Sequence, residues 1–328
     1  MIDSEAISSQ SLKVFYGVNA KNFQRHYKEK LSDYKLWDQK KHAEQYLVYP
    51  QNTGAHLALD ETALSNGELY TILTNKAAKG KKGSIVGIFS GTNSEDIIAL
   101  IKKHIPKSLR NKVSEISLDL AASMNLIAKS CFTKARRVAD RFHVQRLACD
   151  AVQEIRIKHR WEAIDRDHEA YQLASQGIDY QPELLPNGDT LKQLLARSRY
   201  LLFKHYSKWT TRQKSRAEIL FEMYPDLEQA YKLSSSLCEI YERKYKKQVG
   251  LLKMARWENK VQKSGFKSFA SIVKTFHTHY DSIANFFVNR STNAAAESFN
   301  AKIKDFRRQF RGVTDLKFFL YRLTKIYA

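Results

Sequence analysis

The sequence predicts an α/β domain with a mixed sheet, interrupted by an all-helical insertion. Two patterns predict it. Between His56 and Asp140, short apolar runs of strand type alternate with helical periods in the order βββαβαβ. From about 165 to 290 the chain shows helical periodicity alone. A strand meander followed by βα crossovers makes a sheet with both parallel and antiparallel pairs. The 328 residues, 43% of them hydrophobic, are enough for a real core.

Residues 1–55 read as helical and polar, with aromatic residues recurring among basic ones, as in Phe23, Arg25, His26, Tyr27, Tyr34, Lys35 and Trp37. That mixture suits an amphipathic helix pair packed on the next domain, and equally an arm touching DNA. His56 to Asp60 is the first expected strand. Asn66-Gly67 is a tight-turn signal, and Leu69 to Thr74 returns as the second strand. Lys79-Gly80-Lys81-Lys82-Gly83 is the next turn, and Ser84 to Phe89 the third strand. Ser94-Glu95-Asp96 opens a helix with the stripe Ile97, Leu100, Ile101, Ile105. Ile116 to Asp119 is strand four, Met124 to Ala128 a short helix, and Arg137 to Asp140 strand five. A long helix over Val144–Ile164 follows. Pro182, Pro186, Asn187 and Gly188 then mark a loop. Further helices are expected from about Leu191 to His205, Gln213 to Met223, Leu227 to Lys246 and Phe266 to Phe287. The implied organisation is a helical arm (1–55), the first part of the sheet domain (56–164), the insertion (165–290) and a returning C-terminal segment (291–328).

The formal charge is +21 and the pI about 9.7. Such a field attracts polyanions, because neutralising phosphates releases condensed counterions. Cys131, Cys149 and Cys238 are widely spaced, with no Cys-x-x-Cys pair, so reduced thiols are expected rather than a disulfide framework or zinc ribbon. The N-terminus has no basic-then-apolar leader pattern, and no stretch is long and apolar enough to span a bilayer. A soluble cytoplasmic protein with no membrane partner is the expectation.

Three acids carry the chemical reading. Asp60 and Asp119 each close an apolar run, where strands of a βαβ sheet present ligands. Glu297 opens a basic helix. Each alone is ordinary, since an aspartate at a strand end often caps a helix or forms a turn. Together, two aspartates and a glutamate suit a pair of hard divalent cations, which clamp the attacking and leaving oxygens of a phosphoryl transfer. On a helical wheel, Glu297, Asn300, Lys304, Arg308 and Arg311 share one face, and Phe299, Ile303, Phe306 and Phe310 the other. Lys302, Lys304, Arg307, Arg308, Arg311 and Asn300 are the expected DNA contacts, giving affinity with little sequence preference. A second basic strip, Arg197, Arg199, Lys204, Lys208, Arg212, Lys214 and Arg216 with Tyr200, Tyr206 and Trp209, suits a DNA channel or a solvated helical surface. Gly80-Lys81-Lys82-Gly83 lacks phosphate-loop spacing and reads as a hairpin turn.

The strings Leu59-Asp60-Glu61, Ser117-Leu118-Asp119, Asp140-Arg141-Phe142-His143-Val144 and Asn293-x-x-x-Glu297-x-x-Asn300-x-x-Ile303-Lys304 resemble those of bacterial insertion-sequence transposases of the DDE type, the ISL-three-like family. Arg311-Gly312-Val313 with Phe318, the Arg199–Leu202 segment and the Tyr224–Leu227 segment extend the likeness over about residues 55–328. The resemblance implies a ribonuclease H-like mixed sheet flanked by helices, with an all-α insertion. It places Asp60 and Asp119 on the first and fourth strands of that fold and Glu297 on the helix after the insertion. These three would be catalytic and bind two magnesium or manganese ions, with Asp140 and His143 in support. Members carry an N-terminal zinc-binding and helix-turn-helix region. Here about 55 residues precede the first strand and hold no paired cysteines, which points to a separate end-recognition polypeptide. The implied partners are double-stranded DNA, as element ends and target, and a second copy in a homodimer; the implied location is the bacterial cytoplasm, on the nucleoid when DNA is bound. The expected activity is cleavage and strand transfer of an insertion sequence. The alternatives are a ribonuclease H-like nuclease that cuts without joining, and a domesticated, non-catalytic DNA-binding protein.

Overall fold

A computed structural model describes residues 2–65, 67–174, 180–310 and 313–328. The chain divides into two compact units: Met1–Asp140 with Asn289–Ala328, and Arg141–Val288.

The first unit is built on one six-stranded mixed sheet. Its strands are β1 (Tyr46–Val48), β2 (His56–Ser65), β3 (Glu68–Asn75), β4 (Ile85–Ser90), β5 (Glu115–Leu118) and β6 (Arg136–Ala139), in the spatial order β1-β4-β3-β2-β5-β6. β2, β3 and β4 form the antiparallel meander, while β5 and β6 join β2 in parallel. This is the mixed α/β sheet that the strand pattern predicts. Gly67, with φ 85, supplies the left-handed residue between β2 and β3 that a two-residue hairpin turn requires; Asn66 of that turn lies outside the described residues.

Helices α1 (Ser9–Tyr16) and α2 (Ala20–His26) precede the sheet. Crossover helices α3 (Ser94–His104), α4 (Lys107–Arg110) and α5 (Ala122–Cys131) follow the meander. The second unit holds α6 (Arg141–Ala174), α7 (Leu191–Arg197), α8 (Arg199–Leu202), α9 (Thr211–Met223), α10 (Pro225–Glu242), α11 (Lys247–Ser264), α12 (Lys267–Thr278) and most of α13 (Tyr280–Asn289). The chain then re-enters the first unit as α14 (Ala294–Gln309) and α15 (Leu316–Tyr327).

Strand side chains alternate between faces, and the two faces of this sheet are both covered. Leu57, Leu59, Leu73, Ile116 and Leu118 pack with Ile97 and Ile101 of α3 and Met124 and Ile127 of α5. The opposite face packs Ile72 and Ile88 against Phe299, Ile303 and Phe306 of α14 and Phe319 and Leu323 of α15. Because Leu57 and Leu59 face α3 and α5, Ala58 and Asp60 are turned toward α14. Each fully buried side chain of this size contributes roughly 1.5–3 kcal/mol.

The N-terminal residues are docked on this unit. Tyr27 and Tyr34 cluster with Phe318 and Tyr321 of α15, and buried Arg322 donates to the carbonyls of Ile2 and Ile7. Lys28 pairs with Asp315, and Lys325 with Asp33. This packing favours the packed-helix reading of residues 1–55 over a projecting arm.

In the second unit α6 packs on α7, α8, α10 and α12. The indole of buried Trp257 donates to the Leu233 carbonyl at 2.8 Å, and buried Arg156 binds Gln153 and the Leu195 carbonyl. Gly265, in the left-handed region, ends α11.

Several expectations change. Asp60 does not end its strand: β2 runs on to Ser65 because it stays paired with β3, while its parallel pairing with β5 stops at Ala58. Residues 1–55 also supply β1, which adds to the β4 edge. The expected 191–205 helix is two short helices and a turn. The 266–287 helix breaks at His279, and α11 fills a stretch for which no helix was expected. The three cysteines are free. Among the described residues, no helix is long and apolar enough to cross a membrane.

The apolar stripe of α14 should hold that helix to the sheet. Ile303→Ala, at a fully buried site, is expected to destabilise the first unit by about 2–5 kcal/mol, read as a lowered denaturation midpoint with the second unit's transition unchanged.

Candidate active site

Sheet register lines up three aspartates. Ala58 of β2 is level with Ser117 of β5, and Ser117 is level with Val138 of β6. Two residues further along each strand path stand Asp60, Asp119 and Asp140. Neighbouring strands lie about 4.8 Å apart, so the register sets these acids near one level, just past the parallel-paired stretch of the sheet, toward the carboxyl side where open α/β sheets bind ligands. The Asp140 amide continues the ladder by donating to the Leu118 carbonyl at 2.9 Å.

Each carboxylate has a defined support. Asp60 accepts from its neighbour Glu61 N–H at 2.9 Å through one oxygen and from the Asn300 amide at 2.8 Å through the other. Asp119 accepts from the Ala121 N–H at 2.8 Å, in the turn that enters α5. Asp140 is fully buried and accepts from the Asn293 N–H at 3.2 Å.

Helix α14 adds the fourth acid. Glu297 sits in its exposed first turn, and ligand oxygens of Glu297 and Asp140 lie within 4.8 Å of one another. Among the described residues, neither Asp60 nor Asp119 shares that 4.8 Å group. One turn later the same helix places Asn300 on Asp60, and two turns after that the Arg307 guanidinium donates to the Ala63 carbonyl of β2 at 3.2 Å. His143 stands three residues beyond Asp140, in the first turn of α6 and in the second unit.

The expected DNA contacts divide. Asn300 is only 6% exposed and commits its amide to Asp60, so its place is beside the acids rather than on a DNA backbone. The physical reason is angular: at about 100° per residue, Asn300 lies some 60° from Glu297 and toward the Ile303 side, which faces the sheet. Lys302 reaches the Gly80 carbonyl at 2.9 Å, and Arg308 pairs with Asp305 one turn back. Lys304 shares the exposed face with Glu297. Arg311 lies outside the described residues. In the second basic strip, Arg197 and Arg216 both bind buried Asp189. Burial alone would raise that carboxyl, but the hydrogen bonds from Arg216 and Arg197 outweigh it and hold Asp189 below the usual carboxylate range. Arg199, Lys204, Lys208, Arg212 and Lys214 remain on the surface.

The donor set suits a hard divalent cation, since it is made of carboxylate oxygens. The Glu61 carboxyl is pushed up, first by burial and then by the nearby negative charge of Asp119. Sequence reasoning singled out Asp60 and passed over Glu61, although the two adjacent acids are plain in the sequence. It gave no role to Lys76, whose ammonium lies at the foot of the same face, bonded to Ser117, Ser291 and the Thr292 carbonyl. A lone lysine after a strand offers no pattern to read.

Comparison with known families finds a match over residues 57–323 to the model of the ISL3-type DDE family, described as transposase. No curated protein matches the chain.

The Glu61 environment has a pH consequence. A carboxyl raised in the folded state binds its proton more tightly there than in the unfolded chain, so its contribution is lost as pH rises from the ordinary glutamate range through the raised value. In metal-free protein, Glu61→Gln is therefore expected to raise the melting temperature at neutral pH. The gain should vanish below the ordinary glutamate range, where the wild-type side chain is also neutral.

Proposed function

The chain belongs to the ISL3-type DDE transposases, and from that premise we propose that it cleaves and rejoins double-stranded DNA at a site formed by Asp60, Asp119 and Glu297. The observation that carries this reading is the placement of α14. The chain leaves the sheet unit after Asp140 and returns at Asn289, and the returning helix carries Glu297 to the Asp140 carboxylate and Asn300 to Asp60. An acid from a distant part of the sequence thus arrives at the level of the sheet where the aspartates stand.

In this reading Asp60, Asp119 and Glu297 hold two magnesium or manganese ions, with Asp140 beside Glu297 and His143 one turn further on in support. Held there, such ions would supply Lewis-acid activation of a water or a terminal 3′-hydroxyl and charge stabilisation at the departing 3′ oxygen. The protein's own groups do the rest. Asn300 fixes the orientation of the Asp60 carboxylate, leaving its outer lone pairs for a ligand. The Ala121 amide does the same for Asp119. Exposed Lys304, with Lys302 and Arg308 near it on α14, takes the DNA backbone and aligns a scissile phosphate with the acids. The reaction passes through no covalent enzyme intermediate: water cuts the element end, and the freed 3′-hydroxyl attacks target DNA.

Asp119→Asn and Glu297→Gln are expected to lower metal-dependent cleavage and strand transfer by more than about 100-fold, beyond the usual cost of losing a residue that only orients a ligand. DNA affinity should persist. The assay uses pre-cleaved ends and a supercoiled target, so that cutting and joining are scored separately. Normal turnover by either variant removes that residue from the site. Cutting without joining by the wild-type protein assigns it instead to the nucleases.

A further inference from the structure

Lys76 lies in the turn Lys76–Ala78 that follows β3, at the opposite end of the parallel strands from the aspartates. An ammonium has three N–H donors, and this one has three partners: Ser117 Oγ at 3.4 Å, the Ser291 hydroxyl and the Thr292 carbonyl at 3.0 Å. Burial pushes its pKa down, opposed by the negative charges of Glu115 and Asp140. Lys76 is half-buried, and its ammonium makes specific bonds rather than only solvating a surface.

The bonds continue to the acids. Ser117 donates its hydroxyl to Asn293 Oδ1 at 3.1 Å. Asn293 is fully buried, and its N–H binds Asp140. Its carbonyl accepts from the Ala296 and Glu297 amides at 2.8 and 3.0 Å, which starts α14. An asparagine at a helix start ordinarily turns its side chain onto the first free amides of that helix. Asn293 makes no such cap; its oxygen is given to Ser117, and its buried Nδ2 has no hydrogen-bond partner among the described residues. The segment before it is held under strain as well. Arg290 has φ 54, a left-handed conformation uncommon outside glycine, and Asn289 is tied to buried Glu115 at 3.0 Å.

We propose that Lys76 is a positioning residue for the acidic site: by holding Ser291 and Thr292 against β5, its ammonium fixes the Asn293 turn and so sets where Asp140 and Glu297 present their carboxylates. This rests on the active-site reading above for its functional consequence, but the latch itself is a property of the fold. Lys76 touches neither DNA nor the reacting atoms; it acts through Ser291, Thr292, Ser117 and Asn293.

The test is Lys76→Met, with Ser291→Ala as a milder second variant that removes one partner and leaves buried Glu115 its neighbouring cation. Amide hydrogen exchange is measured on metal-free protein, together with Mn2+ affinity by calorimetry and single-turnover cleavage. In both variants the Asn293, Ala296 and Glu297 amides are expected to exchange faster while the β5 amides are unchanged. Mn2+ affinity and cleavage should fall by about 10–100-fold, the usual range for a residue that orients a metal ligand, with DNA affinity retained. If Lys76→Met does not fold, Ser291→Ala decides by the same readouts. Wild-type exchange at Asn293 and Glu297 in a folded variant overturns the proposal. Faster exchange with wild-type Mn2+ affinity also overturns it, since the latch would then not govern the acids. Exchange needs neither metal nor substrate. Wild-type protein that never cleaves DNA would therefore defeat the active-site reading and leave the latch to be judged on exchange alone.

Discussion

A side-chain hydrogen bond between residues 240 positions apart, from the Asn300 amide to the Asp60 carboxylate, joins the two halves of the acidic site. It belongs to a polar seam in which Arg307 also reaches the Ala63 carbonyl, both residues lying on the edge of α14 that meets β2. Beneath the seam the apolar stripe of Phe299, Ile303 and Phe306 buries against the sheet. The division of labour follows from the physics. Apolar burial is non-directional and supplies the attachment, whereas a hydrogen bond to a charged oxygen needs a specific distance and fixes the helix's rotation and slide. With that rotation set, Glu297, one turn earlier, lies beside Asp140.

The sheet does the complementary work. Parallel pairing of β2, β5 and β6 fixes register, and register puts three aspartates at one level across three strands. Gathering negative charge in this way is unfavourable; the Glu61 carboxyl, raised first by burial, is raised further by Asp119. Each aspartate accepts at least one neutral N–H donor, and the layers around the sheet are apolar.

Much of this was legible in the sequence, and the failures are instructive. The meander, the crossovers and the returning amphipathic helix were readable because hydrophobic periodicity is a direct imprint of which face is buried. The acids at strand ends were readable for the same reason: Asp119 and Asp140 interrupt apolar runs that must enter the sheet. β1 was not readable, since Tyr46-Leu47-Val48 is too short to show a period and is a strand only through its pairing with β4. Asp60 was misplaced at a strand end because the β3 partner, which extends β2, is a tertiary fact. Asn300 was assigned to DNA because a wheel shows a face but not how wide the buried stripe is. Lys76 and the diverted cap of Asn293 had no sequence signal at all: their meaning lies in contacts with residues far along the chain.

The central claim is that segments around Asp60, around Asp119 and Asp140, and at the start of α14 share one cation site. Loading the protein with Fe2+ in place of magnesium and triggering local hydroxyl-radical cleavage with ascorbate and peroxide maps that site directly, since the radicals cut backbone only near the bound metal. The account predicts cuts in all three segments, suppressed together by excess magnesium. Cuts confined to one segment, or scattered over unrelated acidic surface, would contradict it.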